Sequence, residues 1–269
     1  MRNLLESENG IRLSFFFGGL LIICAWEIIM PRRKLTQSKL VRWPSNFGIV
    51  LINTLFLRWI FPTTAIGVAL ISKQNALGVF HVLSVPFPIA FISSVILLDL
   101  TIYLQHVMSH AVPLFWRLHR MHHTDLDLDV TSGARFHPLE MGISMAIKFS
   151  VIIFLGAPPL AVLVFEIILN TMAMFNHGNI YLSPKVDQFL RWIFVTPDMH
   201  RIHHSLRLNE TNSNFGFNLS WWDRLLGTYQ HIPQDGHEKM TIGITLFRNS
   251  KYLKLHWLLV QPFLSEKDK

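Results

Sequence analysis

The residues of this chain that are equipped for chemistry are histidines in three close groups. His106 and His110 form H-x3-H. His119, His122 and His123 form H-x2-H-H, and His200, His203 and His204 repeat it. On a helix, residues three and four apart share a face. The spacing therefore predicts that each box aims its imidazoles at a single point. Neutral imidazole ligates iron, zinc, copper and nickel. Eight such groups are too many for one tetrahedral zinc and suit two metal ions, each with an open position. A lone histidine is usually a packing or surface residue, and a His-rich tract is usually a weak metal-binding tail. Two copies of H-x2-H-H plus H-x3-H, embedded in apolar and aromatic sequence, fit neither description.

The rest of the composition narrows the ligands and the setting. The sole cysteine, Cys24, lies in an apolar run. That excludes an intrachain disulfide, an iron–sulfur cluster and a Cys-based zinc site. The ligands must offer nitrogen or oxygen. Of 269 residues, 51% are hydrophobic and only 15% charged, and the mean hydropathy is +0.35. This balance suits an integral membrane protein. Lysine and arginine exceed aspartate and glutamate by 24 − 17 = 7. The positive-inside rule accounts for that excess without a nucleic-acid partner.

The elements that must carry the boxes are read as helices. Residues 11–30 are about the length that spans a bilayer. Their length, Glu27 and the lack of a small-x-small site before Pro31 argue against a cleaved signal peptide. Glu27 is expected either to reach the interface or to face other helices. Residues 31–46 then carry Arg32, Arg33, Lys34, Lys39 and Arg42 with no acid, which predicts a cytoplasmic loop and an N-terminus on the far side. Two further apolar runs, 47–71 and 79–104, complete three crossings within 11–104 and return the chain to the cytoplasmic face. The first boxes follow in 105–140, on that face. Asp99, Tyr103, His106 and His110 fall on one helical stripe, and Asp99 is expected to orient a ligand imidazole. TDLDLD after His123 reads as a polar loop, and Pro138 fits the first turn of a helix with His137 just before it. Residues 141–175 read as a helical hairpin broken at Gly156 to Pro159, with Glu166 and Asn170 packed one turn apart. Residues 176–269 read as a membrane-associated cytoplasmic part holding the last box. The expected fold is an all-α integral membrane protein, a transmembrane helix bundle of one domain, with three crossings plus a hairpin and a cytoplasmic histidine-rich site. The host membrane would be a bacterial inner membrane or that of the endoplasmic reticulum. There is no glycine-rich phosphate loop, G-x-S-x-G elbow or H-E-x-x-H.

The order H-x3-H, H-x2-H-H, H-x2-H-H resembles the fatty acid hydroxylase / sterol desaturase superfamily of membrane histidine-box di-iron oxygenases. RFHPLE at 135–140, FNHGN at 175–179, NFG at 214–216 and WWDRLLGTY at 221–229 resemble further segments of that family. The resemblance covers roughly Asp99 to Tyr229. It implies two irons held by about nine or ten histidines. Carried over residue by residue, the eight boxed histidines match ligands, His177 matches an isolated ligand, and His137 matches a ligand or its close neighbour. Asn214 and Asp223, in the tail segments, join Asp99 as residues expected to support the ligands. Hydroxylase relatives often have a histidine four places before the isolated one. Here that place is Ala173, which resembles the sterol-type side more than the fatty acid 2-hydroxylases.

What the resemblance implies is an O2-dependent oxidoreductase that hydroxylates or desaturates a lipid C–H bond: of a sterol, a fatty acyl chain or an ether lipid. Electrons would come from a separate protein such as cytochrome b5 or ferredoxin. Zinc is expected to be able to occupy the site in purified protein, although iron is needed for redox work. An all-histidine set differs from soluble di-iron bundles, which use glutamates with Glu-x-x-His. Phe115, Trp116, Trp192 and Phe194 lie near the boxes, with ordinary packing the preferred role for each. Two rival classes are a membrane zinc hydrolase, which lacks a general-base motif here, and a non-enzymatic metal or haem carrier. Bis-His haem would need ligands on opposed helices rather than three clustered boxes.

Overall fold

Prolines open six of the helices in the computed structural model, which describes residues 7–265. Proline lacks the N–H that the first helical turn leaves unsatisfied, and its fixed φ suits that position. The helices are α1 (Glu8–Ile29), α2 (Lys39–Ile60), α3 (Ala65–Gln74) and α4 (Phe87–Ala111). Then come α5 (Pro113–His123), α6 (Pro138–Leu155) and α7 (Pro159–His177). Short α8 (Pro184–Leu190), α9 (Pro197–His203) and α10 (Trp221–Leu225) lie in an otherwise irregular C-terminal part. Prolines 88, 113, 138, 159, 184 and 197 stand at the starts of α4 to α9.

Five stretches are long and apolar enough to cross a membrane: Glu8–Ile29, Lys39–Val82, Phe87–Ala111, Pro138–Leu155 and Pro159–His177. The protein is a multi-pass integral membrane protein, and three crossings plus a hairpin is its arrangement. Large apolar side chains such as Leu21, Ile28, Trp59 and Phe154 stay exposed, as a lipid-facing surface requires. The second crossing is not one helix. α2 stops at Ile60, and α3 restarts at Ala65 behind Thr64, whose hydroxyl caps Gly67 N. The hairpin breaks where expected. Gly156 closes α6 at φ 69, in the left-handed region that favours glycine. The core lies where α3, α4, α6 and α7 meet, around Ile66, Leu98, Ile152 and Phe165.

Four sequence expectations need correction. α4 runs seven residues past Leu104, so His106 and His110 sit on the crossing helix itself rather than beyond its end. Glu166 turns its carboxylate to Lys148 Nζ at 2.8 Å and Arg12 at 3.3 Å, while the Asn170 amide donates only to the Glu166 main-chain carbonyl. Arg42 is not a loop residue but a fully buried member of α2. TDLDLD is not a solvated loop either: Asp125, Asp127 and Asp129 are all buried.

The last two corrections have one cause. Arg42 donates from Nε to Asp125 at 2.8 Å, from Nη1 to Asp129 at 2.6 Å, and from Nη2 to Asp125 at 2.9 Å and Ser132 at 3.0 Å. Arg135 adds an ion pair to Asp125 at 3.4 Å. Asp127 accepts from the backbone N–H groups of Thr36 and Gln37, each at 2.6 Å. Glu27 resolves toward the protein: Oε1 accepts from Val130 N at 2.7 Å and Asn179 N at 2.8 Å. Paired charges can be buried where single ones cannot. This network fixes residues 124–137 against α2, directly behind His122 and His123.

Burial would raise the Asp125 carboxyl, but Arg42 and Arg135 outweigh it and hold it down at about 2, from an ordinary 3.8. A depressed folded value means stability that is present above the ordinary value and lost as pH falls through about 2. Arg42→Met strands two buried carboxylates, so it should cost about 3–5 kcal/mol at neutral pH. Thermal unfolding in detergent measures this, and the deficit relative to wild type should shrink as the buffer is taken toward pH 3.

Candidate metal centre

Both H-x2-H-H boxes are divided between two sites rather than aimed at one, while His106 and His110 of H-x3-H share a site. His106, His110, His119, His123 and His203 bring ring nitrogens within 4.8 Å of one another, and His122, His177, His200 and His204 do the same. The expectation of one target per box fails because adjacent helical residues point about 100° apart. The rings of His122 and His123 stand at 90°, as do those of His203 and His204. The neighbouring pair in each H-x2-H-H box therefore straddles both groups. His123 and His204 stack between them with centroids 4.5 Å apart.

In four of the rings the outer nitrogen is anchored on a backbone carbonyl, and this decides what faces inward. A carbonyl oxygen only accepts, so an imidazole nitrogen bonded to it carries the proton. His106 Nδ1 donates to Phe215 O at 2.7 Å, His203 Nδ1 to Ser213 O at 2.8 Å, His177 Nδ1 to Ala173 O at 2.7 Å and His122 Nδ1 to Arg135 O at 3.2 Å. Their Nε2 atoms are then bare lone pairs. Nε2 of His106, His119 and His203 is buried with no hydrogen-bond partner. In the second group, Nε2 of His177 lies 3.0 Å from Nε2 of His122 and of His200, and 3.2 Å from that of His204. The His122–His177 contact sets lone pair against lone pair, which is repulsive unless a cation sits among them. Burial first, and neighbouring imidazoles second, push the pKa values of His122, His123, His200, His203 and His204 well down. The rings are neutral, the form that binds metal. Nine imidazoles clustered as five and four, four of them aimed by a carbonyl, fit a two-metal site.

Glu140, at the end of the RFHPLE segment, is the one carboxylate on a clustered imidazole among the described residues. His119 Nδ1 lies 2.6 Å from Glu140 Oε1. Twenty-one positions separate the two, so no short-range spacing rule pairs them. Gly133 is also part of the support. A Cβ there would meet Ala173 O at 2.4 Å, the very carbonyl that receives His177.

The other expected residues have other places. His137 lies outside both groups; its Nδ1 accepts from Leu139 N at 3.2 Å and caps α6. Asp99 touches no imidazole. Its Oδ2 accepts from Trp222 Nε1 at 2.8 Å and Leu219 N at 3.2 Å. Asp223 accepts from Phe215 N at 2.7 Å and Gly216 N at 2.8 Å, and burial raises its carboxyl to about 6 against those hydrogen bonds. Asn214, at φ 51, donates to Met199 O at 3.0 Å and Gln230 O at 2.9 Å. All three hold the segment 213–219, whose carbonyls hold His106 and His203. Trp116 packs on His110 at 4.8 Å. Trp192 and Phe194 are exposed, and only Phe115 of the four suggested aromatics reaches the cavity.

That cavity, of about 330 Å³, opens beside the first group. His106, His119 and Glu140 form one end, and Phe16, Phe136 and Leu169 are among its apolar walls.

The sequence profile described as fatty acid hydroxylase matches residues 91–228, just over half of the chain. The chain belongs to the fatty acid hydroxylase family. It is 29% identical over 232 residues to ornithine lipid hydroxylase OlsE of Rhizobium tropici, covering 83% of this chain and 68% of that protein. It is 28% identical to the alkylglycerol monooxygenase of Xenopus tropicalis over 55% of this chain and 31% of that one. The Homo sapiens alkylglycerol monooxygenase gives 25% over 59% and 34%. The chain thus spans about a third of the alkylglycerol monooxygenases it matches. No solved structure matches. The protein is a histidine-box membrane oxygenase acting on lipids. The leaning toward the sterol-type side gains no support, since these relatives are named for ornithine lipid and alkylglycerol.

Glu140→Ala should lower metal affinity about ten- to hundred-fold, the usual cost of losing a carboxylate on a ligand histidine. Chelator competition on the purified protein measures it. His137→Ala should keep both metals, because its ring reaches neither group.

Proposed function

We propose that this chain is an O2-dependent lipid hydroxylase with two irons, the first held by His106, His110, His119, His123 and His203 and the second by His122, His177, His200 and His204. The two clusters of largely buried ring nitrogens, with His106 and His119 of the first opening on a largely apolar cavity, carry the reading. Two bound irons would supply reduction of O2 by two electrons from a redox donor, with one oxygen atom entering a lipid C–H bond and the other leaving as water. The protein's own part is positional. Phe16, Phe115 and Leu169 take up a lipid tail and keep water from the reacting end. Glu140 holds His119, and the backbone carbonyls of 213 and 215 hold His203 and His106 in the ligating tautomer. The names of the relatives favour hydroxylation over desaturation and a polar lipid over a sterol.

The part from 11 to 175, with its crossings, first boxes and hairpin, and the part from 176 to 269 act as one oxygenase domain, with the histidine end on the cytoplasmic side. Exposed Lys34, Lys185, Lys239, Lys251 and Lys254 flank that end, against Arg58 and Lys73 on the other, which agrees with the positive-inside rule. A compartment-sensitive reporter at the N-terminus should report the far side; a cytoplasmic signal there reverses the assignment.

Purified protein should bind two metals per chain and consume O2 only when loaded with iron. His110→Ala, His122→Ala and His203→Ala should each abolish turnover, while His231→Ala and His256→Ala, outside both groups, should retain most of it. Monodispersity in detergent separates loss of chemistry from misfolding. Full O2-dependent turnover with one metal per chain would refute the two-iron reading.

A further inference from the structure

The far end of the cavity is charged, although it lies between membrane-crossing helices. Lys148 of α6 and Glu166 of α7 both line it, as do Arg12 of α1 and Asn170. Lys148 and Glu166 are 7% and 3% exposed. Glu166 accepts from Lys148 Nζ at 2.8 Å, and its second oxygen sits 3.3 Å from Arg12. Two cations therefore face one carboxylate. The other acids nearby are engaged elsewhere. Glu140 holds His119, and Glu8, one turn before Arg12, accepts from Thr64. Lys148 and Arg12 thus share Glu166 as their carboxylate at the cavity.

The Lys148–Glu166 pair is costly in an apolar cavity because both side chains are buried, while the Arg12 side chain is 31% exposed. A buried ion pair is seldom more stable than well-packed apolar side chains, and ionisable groups within membrane spans usually serve a ligand or a pathway. A clasp between α6 and α7 would need one cation, not two. The geometry also sets a distance. Lys148 lies eight residues beyond Glu140 on α6, about 12 Å at the helical rise. Glu166 lies eleven before His177 on α7, about 16 Å by the same rise.

We propose that Lys148 and Arg12, held by Glu166, bind an anionic group of the lipid substrate, a carboxylate or a phosphate, so that the carbon presented to the histidines lies about 12–16 Å along the chain from that group. The inference rests on the cavity being the lipid site of the proposed oxygenase. The anion would gain charge-assisted hydrogen bonds from the two cations, and Glu166 keeps them together when no lipid is present.

Equilibrium competition on the full-length, metal-loaded protein in detergent tests it. Palmitate, hexadecyl phosphate and hexadecanol share one tail and differ in the head. Wild type should bind one or both of the anions at least about tenfold more tightly than the alcohol, the scale of a single charge-assisted hydrogen bond. The preferred anion tells a carboxylate source from a phosphate source. Lys148→Met should reduce the preference to near unity, and Lys148→Arg should keep it. Glu166→Gln removes the competing carboxylate and should keep or raise it, which decides the matter if Lys148→Met does not fold. Equal binding of all three ligands by wild type, an unchanged preference in folded Lys148→Met, or a lost preference in Glu166→Gln would overturn the proposal. Metal content and O2 uptake are read on the same samples. Failure of the anion preference with two irons and turnover intact sinks this inference alone.

Discussion

Two imidazole nitrogens 3.0 Å apart with no proton between them make an unstable contact, and the rest of this protein is arranged to enforce it. His122 and His177 meet in this way because each has committed its other nitrogen to a carbonyl, Arg135 O and Ala173 O. In water either ring would turn or take up a proton. Here burial raises the cost of the proton, and the helices remove the freedom to turn. A metal ion relieves the repulsion and satisfies the lone pairs at once. Pre-organisation of this sort trades stability of the metal-free fold for affinity, so the strain must be balanced elsewhere in the molecule.

The balance comes from buried polar pairs behind the ligands. Arg42 reaches from α2 into the TDLDLD segment and neutralises Asp125 and Asp129. Arg135, whose carbonyl anchors His122, shares Asp125. Glu27 ties the backbone at 130 to that at 179, two residues beyond His177. On the opposite flank Asp223, Asn214 and Asp99 organise the segment 213–219 without touching a ring. None of these residues is a ligand, yet His106, His122 and His203 rest on carbonyls of the segments that they fix. Changes to them should therefore read out as metal affinity as well as folding.

The cavity has the same two-part character. One end presents His106 and His119, supported by Glu140, and the walls are apolar. The other end is a charged cluster drawn from three different helices. An enzyme that oxidises an unactivated C–H bond cannot rely on the bond itself for orientation, since all methylenes of a chain look alike. Position must come from somewhere else on the substrate. A fixed polar anchor at a set distance from the metals is the simplest physical means.

Much of this was legible in the sequence. The boxes named eight of the nine clustered histidines, because helical spacing is local. His177 stood alone, and only the likeness of FNHGN to a family segment pointed to it. Hydropathy located the crossings, and Gly156 with Pro159 broke the hairpin, because length and backbone permissiveness are also local properties. What the sequence could not convey was partnership across the chain. Arg42 read as a loop cation and three aspartates as a polar loop, since charge pairs separated by more than eighty residues carry no periodic signal. Glu140 had no role for the same reason, and Asp99 was given a histidine that it does not touch. His137 shows the reverse: a histidine beside a box by number, yet turned to cap a helix. The number and type of metal ligands were written in the order of residues. The split of each neighbouring pair follows from the local helical turn, but which rings share a group, and the carbonyls that aim them, were decided only by tertiary packing, which alone brings a ring on one helix to a backbone group a hundred residues away.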